Sequence, residues 1–100
     1  MVESENTLSN RWLTVMTVDS SKVDISRDDI IDALNNENIE SRPVWKPMHL
    51  QPFFSKYKYL KKNNKDYSLN FFENGICLPS GSNLKKEQLR RIVDTILRLL

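Results

Sequence analysis

The side chains best suited to chemistry in this chain lie close together, within residues 42–54. Arg42 carries a guanidinium, which can hold a carboxylate through two hydrogen bonds. Lys46 carries an ammonium, Gln51 a carboxamide, and His49 the one imidazole among the 100 residues. Histidine is the residue type whose charge ordinarily changes between pH 5 and 8. This set predicts that the segment has a binding function beyond connecting two elements.

The backbone of residues 42–54 is stiff, because the stretch holds Pro43, Pro47 and Pro52 out of the four prolines of the chain. Each proline fixes φ and removes an amide donor, which excludes a regular helix or a central strand. The segment is also more apolar than an ordinary loop, so we expect it to pack against another domain or subunit. Its large apolar residues are Trp45, Met48, Leu50, Phe53 and Phe54.

Each of the four polar residues also has a structural interpretation, and the residues alone leave both interpretations open. In the structural one, a backbone carbonyl satisfies His49 and the ammonium of Lys46 is simply solvated. Arg42 then caps a strand end through an ion pair, and Gln51 donates to a loop carbonyl.

Other kinds of site have little support in the sequence. No paired histidines, cysteines or carboxylates have metal-ligand spacing, and no serine or cysteine nucleophile motif is present. Residues 79–82 are small and precede a predicted helix, as in a phosphate-binding loop, but the Gly-x-x-x-x-Gly-Lys spacing is missing. We therefore predict no metal site and no serine or cysteine nucleophile within this chain.

Composition describes one ordinary globular domain, with 39% apolar residues, 28% charged residues and a net charge of +2. No apolar stretch approaches the roughly 20 residues that span a bilayer. The N-terminus is polar and acidic, unlike a signal peptide. Cys77 lies between two apolar residues, so we expect a buried, inert thiol. These features are typical of a cytoplasmic protein.

The first half of the chain predicts two strands and a helix. Residues 11–18 are apolar on both faces, which favours a strand covered on both sides, one cover coming from a partner. Ser26 and Asp29 have the spacing of a capping box, flanked by Ile25 and Ile30 at the hydrophobic-staple positions. A helix is expected over residues 27–36, and a short strand over residues 39–45.

In the second half, residues 55–65 predict a basic, exposed loop, and Asp66 is expected to cap a short helix that ends with Gly75 at its C′ position. A strand follows over residues 76–78. The last helix begins near Leu84 with Ser82 or Asn83 as its cap, and apolar residues recur along it at helical spacing. We predict an α/β two-layer sandwich with a small, largely antiparallel sheet and helices on one face.

Three blocks of sequence, residues 9–14, 40–52 and 74–84, resemble in the same order the C-terminal part of the DegT/DnrJ/StrS family of pyridoxal-phosphate-dependent sugar aminotransferases. Residues 1–9 are interpreted as a polar leader from their composition. The resemblance implies a C-terminal small domain of a fold-type-I aminotransferase over residues 10–100. In that family the Schiff-base lysine and the other cofactor contacts lie in a longer N-terminal domain. Lys46 does not match that lysine, so this chain looks like an excised domain that neither binds the cofactor nor catalyses the reaction alone.

The resemblance also implies the partners of the domain and the role of its site. They are the N-terminal cofactor domain, a second subunit of a homodimer, and a nucleotide-linked keto-sugar that accepts an amino group, commonly from glutamate. His49 enters the active-site cleft of such an enzyme as a substrate contact, while the cofactor lysine moves the proton. Lys46, Arg42 and Gln51 are the further candidates for substrate binding.

Residues 53–62 favour a different class of function, because aromatic side chains alternate with lysines there. Stacking on bases and neutralisation of phosphates use these residue types, so a nucleic-acid-binding module is the alternative. The stretch contains no arginine and no RNA-recognition signature. A stand-alone interaction domain descended from such an enzyme is a third interpretation.

Overall fold

A computed structural model describes residues 3–100. Its helices and strands are β1 (Thr14–Thr17), α1 (Arg27–Asn36), β2 (Arg42–Pro43), α2 (Tyr67–Asn74), β3 (Gly75–Leu78) and α3 (Lys86–Leu97). The sheet has the order β1-β3-β2, and both pairings are antiparallel. This arrangement confirms the predicted α/β class with a small antiparallel sheet. None of the helices within residues 3–100 has the length and apolar character that crossing a membrane requires.

The core lies between one face of the sheet and helices α1 and α3. Met16 of β1 is opposite Ile76 of β3, so both side chains point to the same face. Ile76 is fully buried and packs with Ile30 and Leu34 of α1 and with Ile92 of α3. The other face of the sheet, which carries Val15, receives no helix of this cluster.

Helix α1 has the bounds and the cap that the sequence predicts. The Ser26 hydroxyl accepts from the Asp29 amide at 3.2 Å, and the Asp29 carboxylate accepts from the Ser26 amide at 2.7 Å. The hydrogen bonds from Ser26 hold the pKa of Asp29 below its usual range. Arg27, the first residue of α1, donates to the backbone carbonyl of Phe72 and so ties α1 to α2.

Two predicted strands are shorter than expected. The first covers residues 14–17, and its outward face is open within this chain, since Val15 is exposed. The second is reduced to Arg42–Pro43, because the amide of Ile39 bonds back to the Leu34 carbonyl at the end of α1 instead of joining the sheet.

Two predicted helix ends also differ. Gly75 has φ of −97° and begins β3, so it is not a left-handed C′ residue. A side chain there would collide with the Phe71 carbonyl and with Val44, which explains a glycine at this position. Neither Ser82 nor Asn83 caps α3. Lys85 is the N-cap residue, and its amide donates to the Gln88 side chain at 2.9 Å.

Candidate functional site

The connection between β2 and α2, residues 44–66, carries most of the predicted site and is here called the β2–α2 connection. It contains two 3-10 turns, Met48–Leu50 and Pro52–Phe54, each introduced by a residue with extended backbone. Pro47 accepts from the Leu50 amide at 3.0 Å, and Gln51 accepts from the Phe54 amide at 2.9 Å. The prolines favour these tight turns, because their φ is already fixed. His49 therefore sits in the middle of a rigid turn.

The His49 side chain is held on two sides and is only 15% exposed. Its Nε2 lies 3.0 Å from Oδ2 of Asp66, a residue 17 positions further along the chain. The imidazole also stacks on the Tyr59 ring, with centroids 3.7 Å apart and planes within 3°. The histidine is thus packed and satisfied within the chain, but its partner is a carboxylate and not the backbone carbonyl of the structural interpretation.

Asp66 is nearly buried, with 9% of its side chain exposed, and it is surrounded by donors. Oδ1 accepts from the Leu69 amide at 2.9 Å, which confirms the predicted helix cap, and from the Ser68 hydroxyl at 3.0 Å. Burial raises the pKa of Asp66, but these hydrogen bonds, with Lys61 and the charge of His49, outweigh it and hold the pKa well below its usual range. Asp66 is therefore ionised at neutral pH and can only accept, so Nε2 of His49 is the donor.

The remaining three candidate residues lie on the surface. Arg42 donates to the Glu40 carboxylate from Nε at 2.8 Å, and this pair is largely solvent-exposed. Its structural interpretation, a local ion pair at a strand end, is therefore present in the molecule. Lys46 is exposed and forms no ion pair within the described part of the chain. Gln51 approaches the Met48 sulfur at 3.7 Å instead of a loop carbonyl.

The four candidates do not share one cavity. Arg42 and Lys46 line an open groove of about 740 Å³ that also borders the start of α3. Within this groove Ser41 is buried, and its hydroxyl has no hydrogen-bond partner among residues 3–100. His49 instead lines a pocket of about 390 Å³ that also contains Lys58. The structure thus brings Arg42 and Lys46 together and separates them from His49.

Large apolar side chains are exposed around the β2–α2 connection, as predicted. Trp45, Met48 and Phe53 are each more than half exposed. Trp12 contributes to the same surface, because its ring centroid lies 5.5 Å from that of Trp45. Phe54 is half-buried, in edge contact with Phe53.

Helix α3 presents a second exposed apolar surface. Four apolar residues follow one another at helical spacing along the side that faces away from the core. They are Leu89, Val93 and Leu97 of α3, and Leu100 just beyond its end. Stripes of this kind usually meet another domain or subunit.

The aromatic rings of residues 53–62 are partly engaged within the chain. The Lys56 ammonium lies 5.8 Å from the Phe53 centroid and 5.3 Å from that of Tyr57. One face of Tyr59 is covered by His49. A nucleic-acid surface that depends on stacking would need these rings free, so their contacts weigh against that alternative.

Two further residues singled out in the sequence have structural roles. Ser80, in the small-residue turn over residues 79–82, accepts from the Thr14 amide at 2.7 Å and donates to the Leu78 carbonyl at 2.8 Å. It therefore joins β1 to β3 and is not aimed at a ligand. Cys77 is half-buried, and burial raises the pKa of its thiol, which disfavours the reactive thiolate.

Comparison with known proteins places these features in a class. The model of the DegT/DnrJ/EryC1/StrS aminotransferase family matches residues 1–97. The chain belongs to this family.

Two relatives sharpen that assignment. EpsN of Bacillus subtilis (strain 168), whose name describes a pyridoxal phosphate-dependent aminotransferase, is 42% identical over 93 residues, which are 92% of this chain and 23% of EpsN. GDP-perosamine synthase of Vibrio cholerae is 34% identical over 95 residues, which are 94% of this chain and 25% of the relative. The chain thus spans about a quarter of the length of these relatives.

Solved structures agree on the fold. Spr1654 from Streptococcus pneumoniae, described as a sugar aminotransferase in its PMP form, superposes on this chain with a TM-score of 0.75 at 27% sequence identity. The superposition covers 97% of this chain and 24% of the Spr1654 chain. PseC from Helicobacter pylori superposes with a TM-score of 0.69 at 17% sequence identity, over 87% of this chain and 23% of the PseC chain. This second likeness supports the fold alone.

The sequence alone does not indicate the contacts that Asp66 and Tyr59 make with His49. Asp66 was recognised as a helix cap, because that contact spans three residues. Its pairing with His49 crosses the whole basic loop, and no periodicity or spacing marks such a contact.

Proposed function

We propose that this chain is the C-terminal small domain of a pyridoxal-phosphate-dependent enzyme that transfers an amino group, from glutamate, to a nucleotide-linked keto-sugar. The products of such enzymes serve polysaccharide or glycan biosynthesis. The observation that carries the proposal is the family match over residues 1–97, supported by the 42% identity with EpsN. The name of the Vibrio cholerae relative supports a nucleotide-linked product.

The residues described here do not by themselves fit pyridoxal phosphate. An enzyme of this class holds the cofactor through a Schiff base with an enclosed lysine, whereas every lysine within residues 3–100 is exposed. When bound by a complete enzyme, the cofactor supplies the electron sink for amino transfer. We therefore assign this domain the binding of substrate, and no catalytic residue.

Within the proposal, His49 contacts the nucleotide-sugar with its imidazole, and Lys46 offers an unpaired ammonium to its diphosphate or to a carboxylate of the cofactor domain. Arg42 would exchange Glu40 for the ligand, and Gln51 would hydrogen-bond the sugar. Since Arg42 and Lys46 share a groove that excludes His49, the ligand would extend across the surface between the two cavities.

We also propose that the two exposed apolar surfaces, around Trp45 and along α3, are covered by the N-terminal cofactor domain and a second subunit. Residues 10–100 would then form the small domain that these partners enclose, after a leader over residues 1–9, of which Met1 and Val2 lie outside the described residues. One cysteine with a protonated thiol is expected of a reducing compartment such as the cytoplasm.

A chimera tests the function. The quarter of EpsN that matches this chain is replaced by residues of the chain, and amino transfer from glutamate to nucleotide-linked keto-sugars is measured with pyridoxal phosphate present. EpsN without that quarter is the control and is expected to be inactive. A chimera that folds and takes an amino group from glutamate but passes it to no keto-sugar would contradict the proposed substrate.

The isolated chain gives a second test. We expect no stoichiometric aldimine band when pyridoxal phosphate is added, because the described residues lack an enclosed lysine. The visible spectrum is recorded before and after borohydride. A band that reduces onto one lysine would show that this domain holds the cofactor itself.

A further inference from the structure

We propose that Asp66 is a positioning residue: with Tyr59 it fixes the His49 imidazole so that Nε2 is occupied and Nδ1 is left to bind a phosphate of the nucleotide-sugar. The inference rests on the proposed function for its substrate, and on the contacts of this chain for its geometry. It assigns roles to Asp66 and Tyr59 that go beyond capping a helix and filling a loop.

The Asp66 carboxylate is fixed before any substrate arrives. Oδ1 accepts from the Leu69 amide, the Ser68 hydroxyl and, at 3.3 Å, the Tyr59 hydroxyl. Oδ2 accepts from His49 at 3.0 Å and lies 3.4 Å from the Lys61 ammonium. Rotation of the carboxylate would break several of these contacts at once.

Because Asp66 is ionised, it determines which imidazole nitrogen remains available. The proton on Nε2 is donated to Oδ2, so Nδ1 is the remaining polar atom of the His49 side chain. Once Nδ1 also carries a proton, it can donate that proton to an anionic oxygen of the ligand.

Tyr59 restrains the His49 imidazole by stacking on one face of the ring. Its ring lies parallel to the imidazole at 3.7 Å, and its hydroxyl lies 2.8 Å from Ser68, so the stack is anchored to the same cluster. The 3-10 turn Met48–Leu50 fixes the backbone from which the His49 side chain projects. A side chain restrained in this way loses little conformational entropy when it binds a ligand.

The pocket beside His49 suits an anionic group on a partly apolar ligand. Lys58 supplies a cationic side chain to its lining, and Met48 and Phe54 supply apolar walls. A phosphate of the nucleotide-sugar and the carboxylate of glutamate share this anionic chemistry. The two half-reactions of an aminotransferase separate them, since each substrate enters in one half only.

Two substitutions of Asp66 distinguish positioning from helix capping. Asp66→Ser keeps a good N-cap residue but is too short to reach His49. Asp66→Asn can cap Leu69 with its single oxygen, but its NH2 group then faces His49, so both the charge and the acceptor for Nε2 are removed. Thermal unfolding of both variants establishes that they fold.

The first measurement uses the 100-residue chain and imidazole NMR. We expect the native chain to show a slowly exchanging Nε2–H proton and ring protons of His49 shifted upfield by the Tyr59 stack. Asp66→Ser and Asp66→Asn should both lose the Nε2–H signal, because neither leaves an acceptor for Nε2. Tyr59→Leu should remove the upfield shift. If Asp66→Ser left the Nε2–H signal unchanged, the positioning role would be wrong.

The second measurement uses the active chimera and separate half-reactions. Asp66→Ser and Asp66→Asn should each lower kcat/KM for the nucleotide-sugar by about 10-fold. The glutamate half-reaction should be unchanged. Equal loss in both halves, or no loss in either, would overturn the assignment to the sugar phosphate.

The NMR and kinetic measurements together separate a failure of this inference from a failure of the proposed function. A chimera with native Asp66 that lacks sugar amination refutes the proposed function, and the phosphate assignment with it. The NMR comparison then decides alone whether Asp66 and Tyr59 position His49. An active chimera with an unaffected Asp66→Ser variant leaves the proposed function intact and refutes the inference.

Discussion

The helix-and-sheet core and the β2–α2 connection achieve order by different means. In the core, Ile30, Leu34 and Ile76 are almost completely removed from water, and apolar packing holds the elements together. The connection exposes most of its large apolar side chains, and fixes its backbone with prolines and its histidine with one carboxylate. A buried core stabilises the folded chain, whereas a restrained but exposed segment is typical of a binding site.

The largest expected effect concerns the core. Leu34→Ala should destabilise the chain by about 2–5 kcal/mol, because it leaves a cavity at a residue with no exposed surface. Leu60→Ala, at a site in the connection that is 78% exposed, removes the same atoms and should change stability by less than about 0.5 kcal/mol. Urea unfolding measures both variants. Similar losses would mean that the connection belongs to the core.

The next effect concerns binding. His49→Asn in the active chimera should lower kcat/KM for the nucleotide-sugar by about 10- to 150-fold, which is the loss of a hydrogen bond to a charged group worth about 1.5–3 kcal/mol. The glutamate half-reaction should be spared, because the cofactor lysine handles its proton. Single-turnover kinetics of each half measures the difference. Damage to both halves would place His49 in the common chemistry.

A smaller effect is expected at the start of α1. Ser26→Ala should cost about 0.5–2 kcal/mol, since the hydroxyl satisfies the Asp29 amide. Ser82→Ala is the matched control, because this serine lies before α3 without capping it, and should be nearly neutral. Thermal unfolding compares the two, and a loss at Ser82 equal to that at Ser26 would contradict the observed cap of α3.

The last effect depends on pH. The pKa of Asp66 is lowered in the folded chain, so its ionised form adds stability above the unfolded pKa of about 3.9, and this contribution is lost as the pH falls toward the folded pKa. The stability difference between the native chain and Asp66→Asn should therefore shrink on acidification below about pH 4. Urea unfolding at several pH values measures it. A difference that stays constant would mean that the charge of Asp66 adds nothing.

Whether a contact could be predicted from the sequence depends on how many residues separate its two partners. The capping box at Ser26 and the cap at Asp66 were predicted, because each joins residues three apart. The bounds of α1 and the fold class were also predicted, from periodicity and from the family resemblance. The extended conformation of Gly75 was not, because it depends on Val44 packing against it. The His49 partner was missed because it lies 17 residues away.

Pro43 affects how the sheet ends. Pro43 lies on the edge strand β2, opposite Ile76, while the amide of Val44 points inward to the Gly75 carbonyl. Amide directions alternate along a strand, so the nitrogen of Pro43 faces the open edge, where it has no proton to donate. A strand from another molecule that approached this edge would meet a strand of only two residues. At Pro43 it would have no amide proton to accept. Pro43 thus makes the β2 edge of the sheet a poor template for pairing with another strand.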